Sequence, residues 1–410
     1  MRAHHATSWL GLLAPLCAQA VLQVPATYPQ IGAAIAAAQP GDIVSVASGT
    51  YAGFVCDKAV TIAAQPGAQV RVATLVILTP SPTDFHVPGG GMAKVIGLQF
   101  VNPQFFFPMQ TTVSAGRVAF EDCLFEAYAL SSGGFVPNAG LRIHDSEVWL
   151  RHCRCTGHTS PPPLGAGANA EPVPGLLVQH GFVAAVDCEF VGGALAFDGA
   201  IGAGDGVHAV DSSVHLVRCA ATGGASISCF YPSGTGVCVD AGIGTWLVDS
   251  TITGGSYMNC PAGGDALRNN GTVPVLLTRT TATPGAGTTG VAIVGPVQAD
   301  TALGLASPTA GANLGAPYRI DYQATPNVLV ALFLSDHLVA QAPVVTVEPI
   351  WLPAGAPFVG LLISDATGVA SFQTTIPNDP TLRFASLWLH AAAWPGPPLH
   401  AAPPIGGVIH

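Results

Sequence analysis

Val118-Ala119-Phe120-Glu121-Asp122-Cys123 is the first of six similar runs, the others ending at Cys153, Cys188, Cys219, Ser250 and Thr280. Those end points lie 30, 35, 31, 31 and 30 residues apart. Each is followed by another alternating residue and then usually by glycine, as at Phe190 with Gly192-Gly193, Ala221 with Gly223-Gly224 and Ile252 with Gly254-Gly255. After a loop comes a second short run opened by glycine: Gly140-Leu141-Arg142-Ile143, Gly175-Leu176-Leu177-Val178, Gly206-Val207-His208-Ala209, Gly236-Val237-Cys238-Val239, a degraded Ala266-Leu267-Arg268, and Gly290-Val291-Ala292-Ile293. A repeat of this length marks a solenoid, because one unit cannot bury its apolar face without a neighbour stacked on it.

Inside each unit the hydrophobic period is two, which selects strands over helices. Val118 and Phe120, Val148 and Leu150, Val183 and Ala185, Val214 and Leu216, Thr245 and Leu247, and Val275 and Leu277 are expected inside. In-register stacking at about 4.8 Å per coil then lines up Cys123, Cys153, Cys188 and Cys219 as an interior ladder. The preceding turn position forms a ladder of Asp122, His152, Asp187, Arg218, Asp249 and Arg279, whose last four members alternate in sign. The fold class is all-β: a right-handed single-stranded parallel β-helix.

Outward from the repeat, residues 1–20 combine a short basic start, an apolar stretch from Trp9 to Leu16 and Ala18-Gln19-Ala20, the pattern of a secretory peptide. Cys17 lacks the small preceding residue that a lipid-anchored leader needs. Residues 21–300 are assigned to the β-helix and 301–316 to a Gly/Ala/Pro linker. Residues 317–410 are read as a small antiparallel β-sandwich, with runs Tyr318 to Tyr322, Val328 to Leu334, Val344 to Val347, Phe358 to Ile363, Ala370 to Thr375 and Leu382 to Leu389. At the other end, Thr27-Tyr28-Pro29-Gln30 has a capping-box pattern, and Ile31 to Ala38 is expected to be a helix covering the open end of the solenoid.

Composition narrows the partners. Only 9% of residues are charged, Lys58 and Lys94 are the two lysines, and the formal net charge is −10. Without a basic patch, nucleic acid is not expected as a partner. The apolar stretch of the leader is too short to span a bilayer, and with a secretory peptide the chain is expected to be secreted, periplasmic or at the cell surface, where disulfides form. Cys229 and Cys260 occupy the same loop position on consecutive coils and are expected to pair as a disulfide; the ladder cysteines are packing residues.

Asp42-Ile43-Val44-Ser45-Val46, Gly49-Thr50-Tyr51 and Lys58-Ala59-Val60-Thr61-Ile62 resemble the opening of the pectin-lyase-like superfamily, a resemblance that covers about residues 21–300. Val95-Ile96-Gly97-Leu98-Gln99-Phe100-Val101-Asn102 and Phe120-Glu121-Asp122-Cys123-Leu124-Phe125 sharpen it towards pectin methylesterases. In that family the second segment continues with a Gln-Asp pair carrying one catalytic aspartate, and the next coil supplies an Asp-Phe-Ile-Phe-Gly strand with the other. Here Tyr128 is followed by Ala129-Leu130 and no such strand appears, so the likeness implies fold and not esterase activity.

The glycine-opened strands supply the candidate site. Alternation turns Arg142 and His144, Leu177 and Gln179, His208 and Val210, Cys238 and Asp240, Arg268 and Asn270, and Ala292 and Val294 outward, with Asp205 and Asp265 just before the strand two coils apart. Lyases and hydrolases of the resembled superfamily use such a face, with loops such as Thr159 to Pro174 walling a groove. His208, Asp240 and Arg268 are the candidate catalytic groups, with Arg142, His144, Gln179 and Asn270 as substrate-binding groups. Asp205 and Asp265 are candidate calcium ligands or turn caps; calcium is the possible cofactor. Trp149 and Trp246, outward on another face, are candidates for stacking sugar rings or for packing against the C-terminal domain. His152-Cys153-Arg154-Cys155 with His158 has the residue types of a zinc site, but alternation sends both cysteines inward. The expected function is carbohydrate binding, or a structural, adhesive role at the cell surface, with a polysaccharide or surface glycan as partner. The alternative is a polysaccharide lyase or glycoside hydrolase acting on an acidic polysaccharide.

Overall fold

The computed structural model describes residues 19–73, 83–88, 90–101, 111–127, 139–157, 173–194, 202–226, 232–257, 263–287, 289–300, 304–305, 311–336, 350, 352–353, 355–396, 399–402 and 404–410. The chain divides into two compact units, Leu22–Thr301 and Ala302–His410, the latter counted with Met1–Val21. The expected leader, Val344 to Val347, His158, most of the loop from Thr159, and the Cys229/Cys260 pair lie outside the described residues. Just before that pair, Ser226 and Tyr257 form a parallel bridge at the same offset that separates the two cysteines. The seven described cysteines are free thiols, all buried.

The first unit is a parallel β-helix. Period-two alternation divides the coils into strands on three faces, and successive coils stack in parallel on one another. One face holds Ser146–Arg151, Phe182–Val186, Ser213–Val217 and Gly244–Val248, paired in parallel. A second face is a nine-stranded sheet running from Gly49–Tyr51 to Thr281–Thr283. The third carries the glycine-opened strands Leu141–His144, Leu176–Gln179, Val207–Val210, Val237–Asp240 and Leu267–Asn269. The inward alternating residues are buried, including Val118, Phe120, Leu150, Val183, Leu216 and Leu247. Leu277, at the last full coil, is half-buried.

Asp122, His152, Asp187, Arg218, Asp249 and Arg279 all adopt the left-handed backbone conformation, with φ between 45° and 55°. Such a conformation costs a non-glycine residue about 1–2 kcal/mol. The stacking of opposite charges offsets part of that cost: Arg218 Nε donates to Asp187 Oδ1 at 2.8 Å and Arg279 Nε to Asp249 Oδ1 at 2.6 Å. The cysteine ladder beside it is buried and continues into Ser250, whose hydroxyl donates to the carbonyls of Leu216 and Val248.

The loops leaving the second face interleave. Gly193 donates to Val173, Gly204 to Gly193, Gly224 to Gly204, Gly234 to Gly224, Gly255 to Gly234, Gly264 to Gly255 and Gly285 to Gly264, through backbone bonds of 2.7–3.0 Å. Outgoing and returning chain thus alternate in one hydrogen-bonded column. A Cβ at Gly204 would stand 2.0 Å from the Val173 carbonyl oxygen, and one at Gly234 1.9 Å from that of Gly204. At the glycines the column leaves no room for a side chain, and it sets the positions of Asp205 and Asp265, each the next residue after a column glycine.

Three expectations change in this unit. The capping box does not form: the helix is Ile31–Ala37 with Gln30 as its N-cap and no side-chain capping bond, and Gln30 Oε1 instead accepts from Ala52 N. Its other end is closed from a distance by Lys58, whose ammonium donates to the carbonyls of Ile35, Ala36 and Ala38 at 2.8–3.0 Å. In the last coil Arg268 pairs with Val294 rather than Ala292, a two-residue offset at the point where Ala266 replaces the opening glycine. Trp149 and Trp246 are buried, at 3% and 0% exposure, so neither presents a free ring face for a sugar. The Trp246 indole N–H donates to Thr278 Oγ1, and its ring meets His215 edge-on at 5.8 Å.

The second unit contains two antiparallel sheets, one with Pro317–Gln323 on Val369–Thr375, the other with Leu329–Ser335 between Phe358–Ile363 and Ser386–Trp394. The strand expected from Leu382 starts at Ser386, because Pro380–Leu382 turns as a short 3-10 helix with Asp379 accepting from Thr381 N. His400–Ala401 and Ile405–Val408, in a Pro- and Gly-rich tail, also pair with Ser386–Trp394. No helix among the described residues is long and apolar enough to cross a membrane.

Candidate functional site

On the third face the outward row is Arg142, Leu177, His208, Cys238 and Arg268 on successive coils, beside a second row of His144, Gln179, Val210 and Asp240. Parallel register fixes both rows, so side chains far apart in sequence become neighbours about 4.8 Å apart. Arg142 donates through Nε and Nη2 to Gln179 Oε1, at 3.1 and 2.8 Å.

His208 stands between two carboxylates. Its Nδ1 is 3.1 Å from Asp205 Oδ2 and its Nε2 is 2.9 Å from Asp240 Oδ2. Asp240 Oδ1 also accepts from Asn270 Nδ2 at 2.7 Å. One coil on, Arg268 donates through Nε and Nη2 to Asp265 Oδ2 at 3.0 and 2.6 Å. Asp205 and Asp265 each give their remaining oxygen to the next coil, accepting from Thr235 N at 2.7 Å and Val291 N at 2.9 Å. Both aspartates thereby do the turn-capping work of their residue type.

The protonation states follow from these contacts. Burial alone lowers the affinity of His208 for its proton, but the Asp205 and Asp240 carboxylates outweigh it and the imidazole titrates above its ordinary 6.5. For Asp240, burial acts upward and is outweighed by the Asn270 and His208 hydrogen bonds, which hold it below 3.8. The bond to Asp265 raises Arg268 further. His208 therefore contributes stability that is fully present below pH 6.5 and lost as pH rises through its raised value. The contribution of Asp240 is present above pH 3.8 and lost as pH falls through its lowered value. In thermal melts, the advantage of the native chain over His208→Gln should shrink as pH rises from about 6 to 9. Parallel pH curves for the two proteins would show that the carboxylates do not hold a charged ring.

His208, Asp240 and Arg268 are thus brought together, and Asn270 joins them through Asp240. Arg142 and Gln179 form a separate pair, and His144 faces Asp145, Nδ1 to Oδ2 2.8 Å. Cys238, placed on the outward row by alternation, was given no role in the sequence reading. Its thiol is 7% exposed, and burial together with Asp205 and Asp240 pushes its pKa well up. Ligand atoms of Asp205, His208 and Cys238 lie within 4.8 Å of one another, whereas Asp265 is outside that group. Alternation already sets Cys238 apart from the inward ladder cysteines; what it does not give is the closeness of its thiol to Asp205 and His208.

The chain matches no protein-family model and no curated protein. Function is therefore argued from the site itself.

A shallow groove beside the first charged turn ladder is lined by His152, Arg154, Asp187, Glu189, Arg218 and Asp249. Its charges meet one another, as in Arg154 Nε to Glu189 Oε2 at 3.2 Å, which makes it a solvated ion ladder of small energetic weight.

Proposed function

We propose that this chain is a secreted glycan-binding β-helix of the pectin-lyase-like kind, with a recognition or adhesive role at the cell surface, and that the polar rows of the third face contact the glycan. The observation that carries this reading is His208. Both its nitrogens engage carboxylates and Arg268 is paired with Asp265, so the two groups best suited to act as a base are biased towards their protonated forms. The stacked coils then hold donors and acceptors, Arg142, Gln179, Asp240 and Asn270 among them, in regular steps along the solenoid. Such an array suits an extended polymer with repeated hydroxyl groups and does not by itself require turnover. The leader-like residues 1–20 and the scarcity of charge support an extracellular setting.

The test is binding of the purified chain to a panel of neutral and acidic polysaccharides, with and without calcium, followed for both affinity and newly formed chain ends. Arg142→Ala and Arg268→Ala should each weaken binding by about tenfold or more, the worth of a hydrogen bond to a charged group. A panel that is not bound, or affinities indifferent to both variants, would refute the reading. New unsaturated or reducing ends, lost in His208→Ala, would replace it by the lyase or hydrolase alternative, with Asp205 and Asp265 as the calcium ligands to examine.

A further inference from the structure

The turn between the third and first faces carries a second ladder that the function above does not use. Asp145, His180, Asp211 and Ala241 occupy it on successive coils, all left-handed, with φ of 48°, 52°, 47° and 53°. Backbone bonds Asp145 N to Gln179 O and His180 N to Val210 O, both 3.1 Å, stack these turns. His144, the last residue of its strand, leans back over the same turn. Its Nδ1 is 2.8 Å from Asp145 Oδ2, and its ring meets that of His180 edge-on at a centroid distance of 5.6 Å. One ligand atom each from His144, Asp145 and His180 falls within a span of 4.8 Å. Asp211 Oδ2 is 3.6 Å from His180 Nε2, near enough to orient that ring or to share an ion.

We infer that His144, Asp145 and His180 form a binding site for a zinc-class divalent cation at the edge of the solenoid. Two imidazoles and a carboxylate are the donor set of borderline transition metals rather than of calcium, which takes oxygen. Tetrahedral zinc with bonds of about 2.0–2.2 Å needs ligand-to-ligand edges of about 3.4 Å. The observed span closes to that by rotation of half-exposed side chains, with no movement of the stacked backbone. The open side leaves the fourth position to water or Asp211. An ion there would cross-link two adjacent coils.

The experiment is titration of the untagged full-length chain with zinc ion by calorimetry, and with cobalt(II) by visible absorption. Saturable zinc binding is expected that weakens by more than about tenfold in His180→Ala and in His144→Ala, and is unchanged in His208→Ala. Cobalt bound there should show ligand-field bands without thiolate-to-cobalt charge transfer. Absence of saturable binding, or binding as tight as that of the native chain in either turn variant, would overturn the inference. Loss in His208→Ala together with a thiolate band would place the ion at Asp205, His208 and Cys238 instead and overturn it equally. Arg142→Ala, which removes a glycan-face side chain and leaves the turn intact, should bind zinc normally, so this result is independent of glycan binding.

Discussion

Gly234→Ala, the addition of one methyl group, should cost the β-helix about 3 kcal/mol or more, or prevent recovery of folded protein. The added Cβ would stand 1.9 Å from the Gly204 carbonyl oxygen and 2.7 Å from Gly224 N. These neighbours are backbone atoms of the two preceding segments of the interleaved column, themselves hydrogen-bonded to each other, so neither can swing aside as a long side chain would. Relief requires breaking the Gly234-to-Gly224 and Gly255-to-Gly234 bonds, which leaves buried backbone groups unpaired. Gly32→Ala is the matched comparison in the same unit. Gly32 lies in the helix Ile31–Ala37, where its Cβ would meet only the Phe54 Cβ at 3.4 Å, and alanine there should be neutral or stabilise by up to about 1 kcal/mol. Urea denaturation of both variants checks the pair. Similar midpoints would mean that the loops do not interleave. Because Asp205 follows Gly204 directly, a Gly204→Ala protein that still folds should also displace the carboxylate facing His208.

Phe120→Ala should cost about 3–5 kcal/mol. The side chain is fully buried and joins an aromatic cluster across the early coils: Phe85 lies edge-on at 5.2 Å, Phe125 edge-on at 5.0 Å and Phe100 at 6.4 Å. Phe100 and Phe125 stack in parallel at 5.0 Å, so an emptied Phe120 site is framed by rings that already hold one another. The cavity would close poorly, which puts the cost at the upper end of large-to-small changes. Phe120→Leu should restore part of the loss. A midpoint for Phe120→Ala within error of the native chain would show that the cluster is loosely packed. The Phe120 side chain points into the core, away from the outward rows and the turn ladder, so zinc binding and glycan binding should survive in whatever fraction remains folded.

Much of the site was legible in the sequence because strand alternation and a near-constant repeat length are enough to say which residues share a row. His208, Asp240 and Arg268 could be put on successive coils that way. What each side chain grips could not. Alternation says that Asp205 precedes a strand; it does not say that one oxygen takes a backbone N–H of the next coil while the other holds His208. The His144, Asp145 and His180 group was missed for a related reason. Its members straddle a strand end and a turn, and 144 and 145 stand on one coil while 180 stands on the next, so no linear spacing groups them.

By itself the sequence determined the parallel β-helix, its inward residues, the charged turn ladder and the helical cap, because each depends on local period and on a repeat that forces identical positions into register. Tertiary structure alone decided the closure of that cap by Lys58, the burial of Trp149 and Trp246, the two-residue offset at Val294 and the alternating glycine column. Each of these joins segments whose distance in space is set by stacking and loop return, quantities that no residue pattern encodes. The charge state of His208 belongs with them, since it comes from carboxylates contributed by two different coils.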